Sequence, residues 1–120
     1  MSLKIVYLDD EPALLEMFGD LFSSPDREIA LYDNPKTAIA AIEADPPDIL
    51  FIDFRLPGYT GDQIAQLLDP KIPKVLITGD MEVKCAYPFH AVFEKPYTSK
   101  LGEIEALLNA LKLPHLNGDE

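Results

Sequence analysis

Four short apolar runs in this chain each stop on a polar or charged side chain. Lys4-Ile5-Val6-Tyr7-Leu8 leads into Asp9-Asp10-Glu11, and Ile49-Leu50-Phe51-Ile52 leads into Asp53. Val75-Leu76-Ile77 ends on Thr78, and Ala91-Val92-Phe93-Glu94 leads into Lys95-Pro96. Runs of this length, alternating with segments of helical period, are the βα pattern of a parallel sheet. In an open α/β sheet, ligands bind beyond the carboxyl ends of the strands, where strand order reverses. Acids, a hydroxyl and an ammonium are therefore expected in one pocket, a set suited to a hard cation and a phosphoryl group.

The intervening segments carry helix signals. Pro12 to Phe22 places Leu14, Leu15, Phe18, Leu21 and Phe22 on one face, with Pro12 fit for the first turn. A further strand is expected over Glu28 to Tyr32, followed by Asn34-Pro35 as N-cap and first-turn proline of a helix reaching Ala44. Pro46-Pro47 stops that helix. Leu56-Pro57-Gly58-Tyr59-Thr60-Gly61 reads as a loop, then a short helix carries Ile64, Leu67 and Leu68. The last helix, capped by Thr98 or Ser99, aligns Leu101, Ile104, Leu107, Leu108 and Leu111. With right-handed crossovers the expected fold is α/β, a doubly wound five-stranded parallel sheet. Residues 1–113 form its domain and residues 114–120 an acidic C-terminal tail.

At 120 residues the chain is one domain able to bury a core. Its formal charge of −11 disfavours nucleic acid and anionic membranes as direct partners. No apolar run is long enough to span a bilayer, and no signal peptide pattern opens the chain. The single cysteine, Cys85, fits a reducing cytoplasm and reads as an inert small side chain. His90 and His115 are too far apart in sequence to suggest a metal site and are expected at the surface.

The motifs Asp9-Asp10, Asp53-Phe54-Arg55-Leu56-Pro57-Gly58-Tyr59-Thr60-Gly61, Leu76-Ile77-Thr78-Gly79 and Glu94-Lys95-Pro96-Tyr97 occur in the order and places found in one family. Together they resemble the receiver domain of bacterial two-component response regulators, over nearly the whole chain. The resemblance implies a flavodoxin-like fold with strand order 2-1-3-4-5. It implies that Asp53, an exposed strand-end nucleophile, accepts a phosphoryl group as a mixed anhydride. Its source would be a sensor histidine kinase or a histidine phosphotransfer protein. It further implies Mg²⁺, with Asp10, Asp53 and the backbone carbonyl of Arg55 as direct ligands and Asp9 acting through water. Lys95 and the Thr78 hydroxyl would stabilise the phosphoryl oxygens, and the Lys95-Pro96 peptide is expected to be cis.

Two departures from the family pattern stand out. Receivers commonly carry an aromatic residue three positions before the lysine, and here that position is Val92; alternation sends the adjacent Phe93 to the opposite face. Residues 79–90 must also supply two loops and the fourth helix, so that helix is expected to be shortened to one or two turns, ended by Pro88. A monomer is expected, signalling through rearrangement of 79–90 rather than through the usual dimer.

Competing readings remain. Asp9-Asp10-Glu11 could merely cap the first helix, and Lys95 could be a surface ion-pair partner of Asp53. A haloacid-dehalogenase-like phosphatase also uses Asp, Thr, Lys and Mg²⁺, but its two acids stand two apart after the first strand, where this chain has adjacent acids and Glu11. A pseudo-receiver acting as a phosphorylation-independent interaction module keeps the fold without the transfer. A signalling module, not an enzyme, is the leading expectation. No output domain is visible in these residues, so a stand-alone regulator and a receiver within a larger hybrid protein both stay open.

Overall fold

The computed structural model describes residues 2–80 and 82–117. Strands β1 (Leu3–Leu8), β2 (Arg27–Tyr32), β3 (Ile49–Asp53), β6 (Lys74–Thr78) and β7 (Ala91–Glu94) form one parallel sheet. Its order is β2-β1-β3-β6-β7, which is the expected 2-1-3-4-5 when the sheet strands are counted in sequence. Strands β4 (Arg55–Leu56) and β5 (Tyr59–Thr60) are a small antiparallel ribbon within the segment expected to be only a loop. Pro57 presets the turn between them and Gly58 completes it at φ 77°, a conformation that a side chain disfavours.

Helices lie on both faces of the sheet: α1 (Pro12–Phe22), α2 (Pro35–Ala44), α3 (Gly61–Leu67) and α4 (Leu101–Asn117), the last preceded by a 3₁₀ turn at Tyr97–Lys100. The strand pleat divides the core in two. Ile5 and Tyr7 of β1, Phe51, Ile77 and Phe93 pack with Leu15, Phe18 and Phe22 of α1 and Ile104 and Leu108 of α4. Val6, Leu8, Leu50, Ile52 and Leu76 face the other way, onto Ala38 and Ile42 of α2 and Ile64 beside Leu68 in α3 and its C-cap. Leu21 and Leu67, expected on apolar faces, are exposed instead. The Asn34 carboxamide accepts from the Thr37 amide at 3.1 Å, as a cap should, and Thr60 with Gln63 forms a capping box at the start of α3.

The expected short fourth helix is corrected here: among the described residues, none between Thr78 and Ala91 is helical. Residues 82–90 form an irregular strap instead. Its amides at Ala86 and Tyr87 donate to the Asp62 carboxylate, at 3.0 and 2.8 Å, and so take a side chain in place of helical carbonyls. Pro88 has no amide hydrogen to extend a helix. Beneath the strap, the buried Lys74 ammonium donates to the carbonyls of Asp69 and Ile72 and to the Tyr87 hydroxyl, at 2.7, 3.1 and 2.8 Å. Val83, Cys85 and Phe89 pack against the second core layer. Gly118-Asp119-Glu120, the end of the expected tail, lies outside the described residues.

Candidate functional site

The carboxyl ends of β1, β3, β6 and β7 meet at a cleft of about 430 Å³, lined by Asp10, Glu11, Asp53, Arg55, Thr78, Gly79, Asp80 and Lys95. Asp53 closes β3 as its last residue and forms the floor. It is only 4% exposed, which corrects the expectation of an exposed strand-end acid. Neighbouring β1 and β6 and the approach of Gly61 wall it in: a Cβ at position 61 would lie 2.4 Å from the Asp53 carbonyl oxygen. The Gly61 amide donates to the Phe54 carbonyl at 2.7 Å, so the start of α3 is pressed against the backbone that follows Asp53.

Lys95 reaches this floor from the end of β7. Its backbone amide donates to the Thr78 carbonyl at 2.8 Å, tying β7 to β6 where both finish. Its ammonium lies 2.6 Å from Glu11 Oε2, 3.0 Å from Asp53 Oδ2 and 3.2 Å from Asp9 Oδ2. The Lys95-Pro96 peptide is cis. Oxygen atoms of Asp9, Asp10, Glu11 and Asp53 all come within 4.8 Å of one another. Glu11 is the N-cap residue of α1, yet its side chain makes no capping bond and turns to Lys95 instead. Helix capping therefore does not account for Glu11.

Asp9 departs from its sequence neighbours. It is fully buried, and it lies below the cleft lining. Its Oδ1 accepts from the Glu11 amide at 2.9 Å, and its Oδ2 accepts from the Tyr7 hydroxyl at 2.5 Å. Asp10, by contrast, is exposed at the cleft rim. Thr78 is buried, and its hydroxyl accepts from the Asp80 amide at 3.0 Å. Arg55 turns its guanidinium outward to Asp80, 3.7 Å away across the cleft mouth.

Crowded acids set the electrostatics. Burial, with the Asp9 charge next, pushes the Asp53 carboxyl up to about 6 against the pull of the Lys95 ammonium. Burial alone would lower Lys95, but its bonds to Glu11 and Asp53 and the nearby charges hold it above the ordinary lysine value. The Tyr7 hydroxyl is raised by burial first and by the Asp9 charge second. Excess negative charge of this kind favours capture of a cation.

The sequence description of the response regulator receiver domain matches residues 5–112. The chain belongs to that family. An uncharacterized response regulatory protein of Vibrio cholerae is 37% identical over 94 residues, covering 72% of this chain and 36% of that protein. The DNA-binding response regulator MtrA of Mycolicibacterium smegmatis is 29% identical over 81 residues, covering 66% and 36% respectively. This receiver domain thus spans about a third of the length of these relatives. Among solved structures, the signal receiver domain of an HD domain-containing protein from Pseudomonas fluorescens superposes with a TM-score of 0.81 at 18% identity, over 99% of this chain and 93% of that one. A CheY-like receiver domain from Methylobacillus flagellatus gives 0.79 at 19%, over 92% and 99%.

Asp10, Asp53, Arg55, Thr78 and Lys95 line this one cleft, and Asp9 lies beneath it. Two participants were missed. Glu11 was read with the acids, not as the nearest partner of Lys95, and Tyr7 was read as core alone. Strand alternation did carry the second signal, because residues 7 and 9 share a face.

Proposed function

We propose that this receiver domain accepts a phosphoryl group on Asp53 from a histidine kinase or histidine phosphotransfer protein. The observation that supports it best is the contact of Lys95 Nζ with Asp53 Oδ2, at 3.0 Å on the cleft floor. In the transfer, the P–N bond of the donor phosphohistidine breaks as a P–O bond to Asp53 forms. The electron pair returns to the imidazole, and no redox partner is needed. Lys95, seated on the Asp53 carboxylate, and the Thr78 hydroxyl on the same wall would supply donors to the phosphoryl oxygens. Asp53 must be ionised to attack, so the reaction is favoured above the pH near 6 at which it loses its proton.

The donor set consists of carboxylate oxygens, which fits a hard divalent cation such as Mg²⁺. Asp10 and Asp53 would hold it, with the Arg55 carbonyl as the family resemblance implies, and Asp9 through water. That indirect role for Asp9 agrees with its two oxygens already having donors. When bound, such an ion offsets the repulsion between the acids and the incoming phosphoryl oxygens.

The output is read as a local change in 79–90. To donate to a phosphoryl oxygen, the Thr78 hydroxyl must turn its hydrogen away from the Asp80 carbonyl, 3.3 Å off; the Asp80 carboxylate in turn accepts from the Glu82 amide at 2.9 Å. Val92 is 42% exposed and Phe93 is buried in the opposite core layer, so no ring stands where the family's switch residue would turn. We read the domain as a monomeric signalling module. The test is intact mass after incubation with acetyl phosphate and Mg²⁺. The mass should rise by one phosphoryl group in the parent and not in Asp53→Asn; unchanged labelling of that variant sinks the assignment.

A further inference from the structure

Tyr7 and Asp9 leave β1 on the same face of the sheet, two residues apart. The Tyr7 ring is buried, with centroids 4.8 Å from Phe18 and 6.1 Å from Tyr97, and its hydroxyl meets Asp9 Oδ2 at 2.5 Å. The Asp9 carboxylate lies near enough to those of Asp10 and Asp53 to share an ion with them. A carboxylate so placed would swing toward a cation unless donors held it back. The Tyr7 hydroxyl on one oxygen and the Glu11 amide on the other do hold it. Bonds of this kind to a charged acceptor are strong.

We propose that Tyr7 is a positioning residue of this cleft. Its hydroxyl keeps Asp9 turned down toward the core, leaves the ion to Asp10 and Asp53, and keeps the Lys95 ammonium shared with Asp53. The proposal rests on the divalent-cation reading above. Phenylalanine at position 7 retains the ring and its aromatic neighbours but deletes the donor. Asp9 Oδ2 is then left with Lys95 and draws that ammonium away from Asp53, while its own charge is freer to face the cleft.

The test is a calorimetric Mg²⁺ titration of the parent, Tyr7→Phe, Asp9→Asn and the double variant. Tyr7→Phe should bind Mg²⁺ more tightly, by about 3–10-fold, the worth of one hydrogen bond, and the gain should vanish when Asp9 is already Asn. Equal affinities in Tyr7→Phe and parent overturn the proposal. So does an equal change in both backgrounds, which marks general loosening. A second measurement needs no Tyr7 variant. In the unmodified protein, the Tyr7 hydroxyl proton should be visible by NMR, move in Asp9→Asn, and persist at saturating Mg²⁺. Its loss on adding Mg²⁺ would show Asp9 swinging to the ion and overturn the idea. A parent that binds no Mg²⁺ instead sinks the cation reading; the hydroxyl proton and its response to Asp9→Asn still decide whether Tyr7 holds Asp9.

Discussion

The Lys95 ammonium lies nearer to Glu11 than to Asp53, at 2.6 Å against 3.0 Å. One cation is thus shared among the acid at the head of α1, the acid at the end of β3 and the buried Asp9, 3.2 Å away. Removing the Glu11 charge should let Lys95 settle on Asp53, and it also removes a negative neighbour. Both effects have one sign. In Glu11→Gln without metal, the Asp53 carboxyl should titrate below its value of about 6, as read by carboxyl carbon NMR. An unchanged titration would mean that the two acids do not compete for Lys95.

The Asp53 contribution to metal-free stability should fall as pH rises through the range between 3.8 and about 6. Asp53 is pushed up in the folded state, so over that range the native protein binds more protons than the unfolded chain. The slope of stability against pH is then negative for this group. Asp53→Asn removes it, and at pH 7 the variant should be more stable than the parent by on the order of 1–3 kcal/mol. Urea unfolding at pH 5 and 7 measures the difference; a parent that gains on Asp53→Asn as pH rises would contradict the sign.

Mg²⁺ affinity should depend more on Asp10 than on Asp9. Asp10 is exposed at the rim, whereas Asp9 is buried with both oxygens occupied. Asp10→Asn should cost more affinity than Asp9→Asn in a Mg²⁺ titration, and an Asp10→Asn protein matching the parent would refute the ligand assignment. A concentration ten times the dissociation constant should stabilise the parent by about 1.4 kcal/mol, a gain that a chelator reverses.

The Arg55–Asp80 pair stands over the cleft mouth at 3.7 Å, with the two side chains 75% and 47% exposed. A solvated pair of this kind contributes only ~0–1 kcal/mol. As a screen against water, it should slow loss of the phosphoryl group by up to about fivefold. Arg55→Ala and Asp80→Ala should each speed the decay of the phosphorylated form. Equal decay in both variants and the parent would show that the pair does not shield the site.

The strap should loosen from its Asp62 end. Asp62→Ala deletes the acceptor shared by the Ala86 and Tyr87 amides. Amide exchange in 82–90 should accelerate several-fold while the β1 and β3 amides stay protected. In the parent, beryllofluoride with Mg²⁺ should accelerate exchange near 79–84, and sedimentation should still report a monomer. A stable dimer on activation would mean that a surface other than the missing helix serves as an interface.

Most of the sheet could be read from the chain because every strand but β2, which opens on Arg27-Glu28, is a nearly continuous apolar run. The site could be read because those runs end on its side chains. The segment 79–90 could not be. A length argument left room for one or two helical turns, and the outcome depended on Asp62, a residue 24 positions from its partner Ala86. Lys74 escaped notice for a related reason. A lysine at a strand start reads as solvated, and only the fold brings two carbonyls and the Tyr87 hydroxyl around it. The burial of Asp53 was hidden likewise, because it comes from neighbours that approach through space. Glu11 looked like a helix cap by position, and its partner arrives from the far end of β7.

Position 61 limits how this cleft can be altered. Anything larger than hydrogen there would strike the Asp53 carbonyl, so the wall on that side has no free volume in which to encode a new preference. Efforts to retune which donors enter, or how long the adduct survives, are left with Arg55, Gly79 and Asp80 at the mouth. A Gly61→Ala substitution would instead displace the acceptor itself, and its cost would appear as lost chemistry rather than changed selectivity.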